Sequence, residues 1–388
     1  MRRKKVIILV NSLTHNGAER IALNQYLLLE KKTEITLVSC YADDFYSRDK
    51  NINIIYLTKT LSNSSIFKKI ACLPKLLFKL ISIKKDIKPD IVISHLNLSN
   101  YLNILSKVSH KTAKNIIYIH SAILPNKQIK PITTFFNIRL IRLLLKSADK
   151  IICVSNSTKS ELAKVLSVTE AVTEVIYNPI AVSKIQENAI KMESPFQTRQ
   201  INLVTIGLRK NKNIPQLLNA FKEALCYQEN LKLTIIGDDK LKESYEQISR
   251  ELEIEKNVRF TGAIDNPFIY LKNADLMILN SSCEGLPTVL IEALACGCPI
   301  ISTDCFSGPR EILAPKTNQE KQLKHGFEIC EFGILIPVND SKSLTESVIH
   351  LITNRKLQEK LKAAGPKRAI DFDQNKSVKK FEFMLDNI

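Results

Sequence analysis

Glycine is scarce in this chain and tryptophan is missing. Ten glycines occur in 388 residues, against about 7% in an average protein. Gly17 is the single glycine before residue 207. A complete G-x-G-x-x-G fingerprint is therefore excluded from the first half. No apolar run approaches the ~18 residues of a membrane span. The amino terminus, MRRKKVIILVNSL, imitates an export signal. Its apolar run, Val6 to Val10, is only five residues and no small-residue cleavage site follows, so it reads as a first strand with a basic tail. Nine cysteines, an odd number without an export signal, point to reduced thiols in a cytoplasm. Cys283, Cys296, Cys298 and Cys305 cluster in sequence, but their spacing matches no common ligand pattern, so no metal is expected. Aromatics at 6% and the lack of zinc-finger, RNP or helix-turn-helix patterns argue against a nucleic-acid partner.

Acidic residues are scarce in one half. Residues 1–180 hold 28 Lys and Arg against 12 Asp and Glu; residues 181–388 hold 28 against 27. The net charge of +17 thus lies almost wholly in the first half. Such a field favours an acidic partner, whether a phosphate-bearing substrate or an anionic membrane surface. The plainer alternative is a set of solvated lysine faces.

Short apolar runs alternate with helical patterns along the whole chain, as parallel sheets with crossover helices require. Strands are expected at Lys5–Asn11, Glu34–Cys40, Asp90–His95, Asn115–His120, Lys150–Ser155 and Glu174–Tyr177. A second set is expected at Ile201–Gly207, Lys232–Gly237, Asn257–Gly262, Asp275–Asn280, Pro299–Thr303 and Ile334–Pro337. The fold class is therefore α/β, with two Rossmann-like doubly wound domains. The first is expected over 1–180 and the second over 201–365, with a polar linker at 181–200. A C-terminal helical segment, 366–388, is free to pack back on the first domain.

The segment Ser281–Leu313 carries most of the chemistry. Glu284-Gly285-Leu286-Pro287-Thr288 reads as a loop opening a helix that Gly297 closes; Pro299–Thr303 follows as a buried strand, and Ser307-Gly308-Pro309 opens another helix. Two helix N-termini beside glycines suit a diphosphate. Glu284 and Glu292, with seven residues between them, suit ribose and sugar hydroxyls. That combination points to a nucleotide sugar. After Gly207, Arg209, Lys210 and Lys212 place three cations at a strand end, able to neutralise a diphosphate leaving group. Gly17, between the first strand and a helix, serves a positive-φ turn, a close ligand approach or an ordinary helix start.

NGAER at 16–20, GLRKNKN at 207–213 and EGLPTVLIE at 284–292 resemble glycosyltransferase family 4, and the resemblance covers nearly the whole chain. It implies a retaining enzyme with the GT-B fold, two Rossmann-like domains facing an interdomain cleft. SGPREIL at 307–313 is similar to members that extend lipid-linked or surface polysaccharides such as O-antigen or capsule. The resemblance implies that Glu284 contacts the donor sugar, Glu292 the ribose, and Arg209 and Lys212 the diphosphate, with Gly17, Gly207, Gly285, Leu286, Pro287 and Thr288 around the donor. His120 would lie under the donor sugar, with His95, Ser155 and Asn178 on the first domain's side. Two departures stand out. Asn16-Gly17 replaces a usual Gly-Gly, and four residues rather than five separate Gly207 from Lys212, which leaves the arginine role open between Arg209 and Lys210. His120 and His95 also admit a second reading as core histidines.

The expected reaction moves a hexose or N-acetylhexosamine from a nucleotide sugar, UDP first among candidates, to a lipid-linked or phosphorylated glycan, without a cofactor. The expected location is the cytoplasmic face of the inner membrane, held there peripherally. Ile66–Lys85, with six lysines among Ile, Leu and Phe and a dividing Pro74, suits an anionic surface. Phe135–Lys146, with Arg139, Arg142 and Lys146 on one helix side, is the weaker match. The alternatives are a nucleotide-sugar epimerase on the same fold or a non-enzymatic basic protein binding nucleic acid or membrane.

Overall fold

The computed structural model describes residues 2–14, 17–43, 52, 54–109, 112–120, 141–197 and 199–388. The chain divides into two compact units, Met1–Tyr177 with Val378–Ile388, and Asn178–Ser377.

In the first unit, strands β1 (Lys5–Val10), β2 (Glu34–Ser39), β3 (Ile54–Tyr56), β4 (Ile91–His95), β5 (Lys114–Ile119), β6 (Lys150–Cys153) and β7 (Thr173–Val175) form one sheet in the order 3-2-1-4-5-6-7. All its pairings are parallel. Alternate residues of β1 feed different cores. Val6, Ile8 and Val10 pack with Ala22 and Leu23 of the helix Gly17–Leu29. Ile7 and Leu9 pack with Leu76, Leu80 and Ile83 of the helix Ile66–Ile87. A strand buried on both faces reads as a near-continuous apolar run, which is why β1 reads VIILV.

In the second unit, β8 (Ile201–Ile206), β9 (Leu231–Ile236), β10 (Val258–Gly262), β11 (Leu276–Leu279), β12 (Ile300–Thr303), β13 (Glu328–Ile329) and β14 (Ile334–Ile336) run in the order 10-9-8-11-12-14-13. β13 pairs antiparallel with β14. The helices Val182–Ala189, Phe268–Asn273 and Thr288–Cys296 pack with one another.

Each expected strand is present, and each unit is doubly wound. Three expectations need correction. Residues 181–200 are not a bare linker: Val182, Ile185 and Ala189 bury one side of the helix Val182–Ala189, and its polar remainder disguises it. The segment 366–388 is not one element: 366–369 close the helix Arg355–Ala369, and the chain changes unit within the helix Gln374–Asp386. Pro74 does not divide Ile66–Ile87, which runs through it for 22 residues. Pro74 lies on the exposed side, where water can reach the carbonyl that its missing N–H leaves unpaired. Residues 135–140 of the second basic segment lie outside the described residues. Arg142 in its described part donates to the Val165 carbonyl at 3.2 Å and to Ser167 Oγ at 3.3 Å, so its charge is turned toward its own unit.

The last helix completes the first core. Phe381, Met384 and Leu385 are buried against Tyr118, Ile152 and Ile176. Phe381→Ala is expected to cost about 3–5 kcal/mol, whereas Phe383→Ala, at a position 69% exposed, should leave stability nearly unchanged. Urea unfolding of the two variants checks this.

Candidate functional site

Strand order reverses between β8 and β11 in the second unit, and ligands in open α/β sheets bind at the carboxyl ends of strands beside such a reversal. The loops leaving β8 and β11 carry the expected cations and carboxylate. Gly207 follows β8 with φ +98°, and a Cβ there would sit 3.2 Å from Lys212 Cε. The glycine is needed for both its backbone angle and the lysine stem packed on it. A 3₁₀ turn at Lys210–Lys212 then folds Lys212 back. Its Nζ lies 2.8 Å from Glu284 Oε1, with the two side chains 13% and 14% exposed. The four-residue spacing after Gly207 thus still delivers Lys212 to Glu284. Arg209 and Lys210 are both exposed.

The two loops are laced together. Asn211 Nδ2 donates to the Cys283 carbonyl at 3.1 Å, Ser282 N to the Asn211 carbonyl at 2.8 Å, and Asn280 Nδ2 to the Asn213 carbonyl at 3.1 Å. Sequence reasoning missed these asparagines. Their signal was position, since each lies at or just beyond the carboxyl end of a core strand.

The Glu284–Pro287 loop leads into the helix Thr288–Cys296, which Gly297 closes at φ +71°. Gly285, Leu286 and Pro287 are buried, while Thr288 is half-buried. Glu292 is 8% exposed, more deeply placed than its half-buried expectation. A third loop braces this one. Ser307 Oγ donates to the Gly285 carbonyl at 2.8 Å. Gly308 has φ +93°, and a Cβ there would fall 2.4 Å from Pro287 Cδ and 2.8 Å from the Gly285 oxygen. A rigid proline ring and a backbone carbonyl fill that space, so no other residue fits.

The helix beyond Gly308 has five residues, Pro309–Leu313, with Arg310 and Glu311 buried. Arg310 is held by Asp304 at 2.6 Å and Glu328 at 3.1 Å. The guanidinium in turn keeps the Glu328 carboxyl below its usual range. This segment secures the loop that supports Gly285.

The first unit has its own reversal, between β1 and β4. Gly17 opens the helix after β1, and a Cβ there would meet nothing within 4 Å. No positive φ accompanies it, so the turn itself does not require glycine. Its neighbour Asn16 lies outside the described residues. His95 ends β4, followed by Leu96 at φ +74°, a left-handed angle that a bulky residue seldom adopts. His120 follows β5. His95 Nδ1 and His120 Nε2 lie 2.9 Å apart, so one ring donates to the other. His95 also stacks on Tyr118 with centroids 4.5 Å apart. Burial, with His120 alongside, holds His95 well below its ordinary pKa; burial brings His120 to about 4. Both rings are neutral near pH 7. His95 Nε2 and His120 Nδ1 are buried without a hydrogen-bond partner among the described residues.

The structure brings His95 and His120 together in one unit, and Gly207, Lys212, Glu284 and Gly285–Pro287 in the other. Ser155 is occupied locally: its Oγ caps the helix Asn156–Leu166 by accepting from Thr158 N. Asn178, expected on the first domain's side, begins the second unit. It is buried, and its Oδ1 lacks a partner among the described residues. All nine cysteines are free thiols.

Residues 15–184 match the family described as Glycosyltransferase Family 4, and residues 185–368 match Glycosyl transferases group 1. The chain is 26% identical over 377 residues to the N-acetylgalactosamine-N,N'-diacetylbacillosaminyl-diphospho-undecaprenol 4-alpha-N-acetylgalactosaminyltransferase of Campylobacter jejuni, covering 96% of this chain and 97% of that protein. It is 29% identical over 178 residues to the lipopolysaccharide 1,6-galactosyltransferase of Salmonella typhimurium, covering 45% of this chain and 48% of that one. Among solved structures, Anabaena HepE in complex with UDP and glucose superposes with a TM-score of 0.80 at 16% identity, covering 100% of both chains. This last likeness establishes the fold.

The histidine pair sets a pH dependence. Folded-state values are depressed, so below about pH 6.5 the unfolded chain takes up protons that the folded chain refuses. Stability is full above that pH and declines as pH falls toward about 4, by at most about 1.4 kcal/mol per pH unit for each ring. His120→Gln should flatten this slope by removing one ring's share. Urea midpoints measured across the range decide it; an unchanged slope contradicts the depressed value.

Proposed function

Because the chain belongs to glycosyltransferase family 4 and has the GT-B fold, we propose that this glycosyltransferase is a retaining enzyme that moves a hexose or N-acetylhexosamine from a UDP-sugar to a lipid-linked or surface-glycan acceptor. The observation that carries this reading is the Lys212–Glu284 pair at the reversal of the second sheet. The similarity to a C. jejuni enzyme named for an undecaprenyl-diphosphate-linked acceptor, and to a HepE structure holding UDP and glucose, supports the two substrate classes.

The chemistry follows from exchange of partners. The pair is largely buried, at 13% and 14% exposed, so Lys212 leaves Glu284 only where another negative charge takes its place, as an incoming diphosphate does. Glu284 is then free to accept a hydrogen bond from a donor-sugar hydroxyl. Arg209 or Lys210 adds a second cation, Glu292 accepts from the ribose, and the Gly285–Thr288 backbone lines the donor. As the bond from the anomeric carbon to the diphosphate oxygen breaks, the acceptor oxygen bonds to the same face of that carbon. Its proton passes to the departing phosphate oxygen. In this front-face scheme the chain's own work is orientation and stabilisation of leaving-group charge. In the first unit, neutral His120 serves as a hydrogen-bonding wall under the donor sugar and His95 fixes its tautomer. Gly17 leaves its backbone open to the diphosphate.

Lys212→Ala should lower turnover by about 10²–10³-fold, with a thermal midpoint close to that of the parent. Acceptor-dependent UDP release from a panel of UDP-hexoses and UDP-N-acetylhexosamines measures the first, and NMR of the product gives its anomeric configuration. Near-normal turnover of the variant would remove Lys212 from the mechanism. An inverted product would refute retention, and UDP release or sugar interconversion indifferent to acceptor would favour hydrolysis or epimerisation.

A further inference from the structure

The helix Ile66–Ile87 is amphipathic on its inward side and apolar again on its outward side. Leu76, Leu80 and Ile83 are buried in the core of the first unit. Opposite them, Phe67 is 82% exposed, Ile70 57% and Phe78 71%. Ala71 and Pro74, also exposed, fill the gaps. Positions 67, 70, 71, 74, 78 and 81 recur at helical spacing, so they form one stripe on one face. From Phe67 to Ile81 the stripe runs ~21 Å. A water-facing helix side ordinarily carries polar residues, and a contiguous apolar strip of this kind marks an interaction surface.

Cations border the strip. Lys68, Lys75 and Lys79 recur at the same helical spacing along one edge, and Lys85 stands at its end. The helix has one acidic residue, Asp86. The structure sorts the lysines by use. Lys84 is buried, donating to Asn103 O and Oδ1 at 3.3 Å each, and so belongs to the core. Lys79 Nζ donates to the Tyr56 carbonyl at 2.7 Å, and Lys69 Nζ lies 5.9 Å from the centre of the Tyr41 ring. Lys68, Lys75 and Lys85 have no carboxylate partner among the described residues. No helix among the described residues is long and apolar enough to cross a membrane.

We propose that this outward face is a docking surface for an anionic phospholipid bilayer, with the helix lying in the plane of the headgroups. Phe67, Ile70 and Phe78 enter the acyl boundary while Lys68, Lys75 and Lys85 meet headgroup phosphates. Charge complementarity selects this occupant. A second copy would bring lysine edge against lysine edge, in a half of the chain that already carries nearly all the excess positive charge. The inference extends the proposed reading by naming the surface that would bring the enzyme to a membrane-linked acceptor, yet it is tested without any acceptor.

Flotation of the full chain with phosphatidylcholine vesicles, with and without phosphatidylglycerol, is the test. Binding should require the anionic lipid and weaken with salt. The double variant Phe67→Ser/Phe78→Ser should bind at least about tenfold less, with an unaltered thermal midpoint because both rings are exposed. The triple variant Lys68→Gln/Lys75→Gln/Lys85→Gln should lose most of the salt dependence. UDP release with a water-soluble acceptor should be unchanged in both, which separates this inference from the catalytic one. Failure of the parent chain to bind anionic vesicles, equal binding to neutral ones, or parent-like binding by the double variant overturns the proposal. So does a parent dimer that the double variant converts to monomer without change in vesicle binding.

Discussion

Reversal of strand order is the constraint on which the rest of this molecule depends. In each unit the crossovers run one way from the first strand and then the other, so adjacent strands send their following loops to opposite faces. Between those loops the sheet edge is left uncovered by either helix. β8 and β11 are such neighbours, and the Lys212–Glu284 pair closes the gap between their loops at 2.8 Å. β1 and β4 are the equivalent neighbours in the first unit, and His95 stands at the end of β4. The chemistry-bearing side chains are where they are because parallel sheets place all carboxyl ends on one side.

Two ion pairs in the second unit show how burial divides structure from chemistry. Arg310 and Asp304 meet at 2.6 Å with side chains 4% and 1% exposed, and Arg310 also reaches Thr317 and Glu328. Breaking one partner there would strand a buried charge, which is costly, so that pair serves as an anchor. It anchors the loop whose Ser307 and Gly308 fix Gly285. Lys212 and Glu284 are less deeply buried, at 13% and 14% exposed, and change partners when an incoming charge replaces the one that is lost. A fixed pair holding the scaffold beside an exchangeable pair in the site is the arrangement an ionic ligand needs.

Much of the fold could be read from the residues because strands buried on both faces write themselves as continuous apolar runs. β1 and β11 did so, and β4 opens with such a run. The strands that escaped notice are β3 and β13, of three and two residues at sheet edges, too short for any periodicity. The helix Val182–Ala189 hid for a different reason, since three buried positions in eight are outnumbered by polar ones. For the candidate site, the Glu284–Thr288 loop and the Gly207–Lys212 turn were visible through glycine and charge. The lacing asparagines and the Gly308 contact were not, because they depend on which backbone atoms approach across the fold. Ser155 shows that a polar residue at a strand end can also carry a local task, since its side chain caps a helix.

The charge asymmetry acquires a physical sense once the units are considered separately. A diphosphate carries its charge at one point, and one or two well-placed cations at the end of β8 can meet it. The second unit therefore needs no net charge. A bilayer surface is extended and its field decays within about 8–10 Å at physiological salt, so attraction to it must be summed over many lysines on one body. The excess of the first half, with an apolar strip on Ile66–Ile87 amid its lysines, fits that second requirement. The same logic explains Lys84: a lysine within the strip's own helix but turned inward loses its water, and burial lowers its pKa to about 7, so it adds little to the field. Position relative to the strip, rather than lysine content, decides which charges an acidic surface would meet.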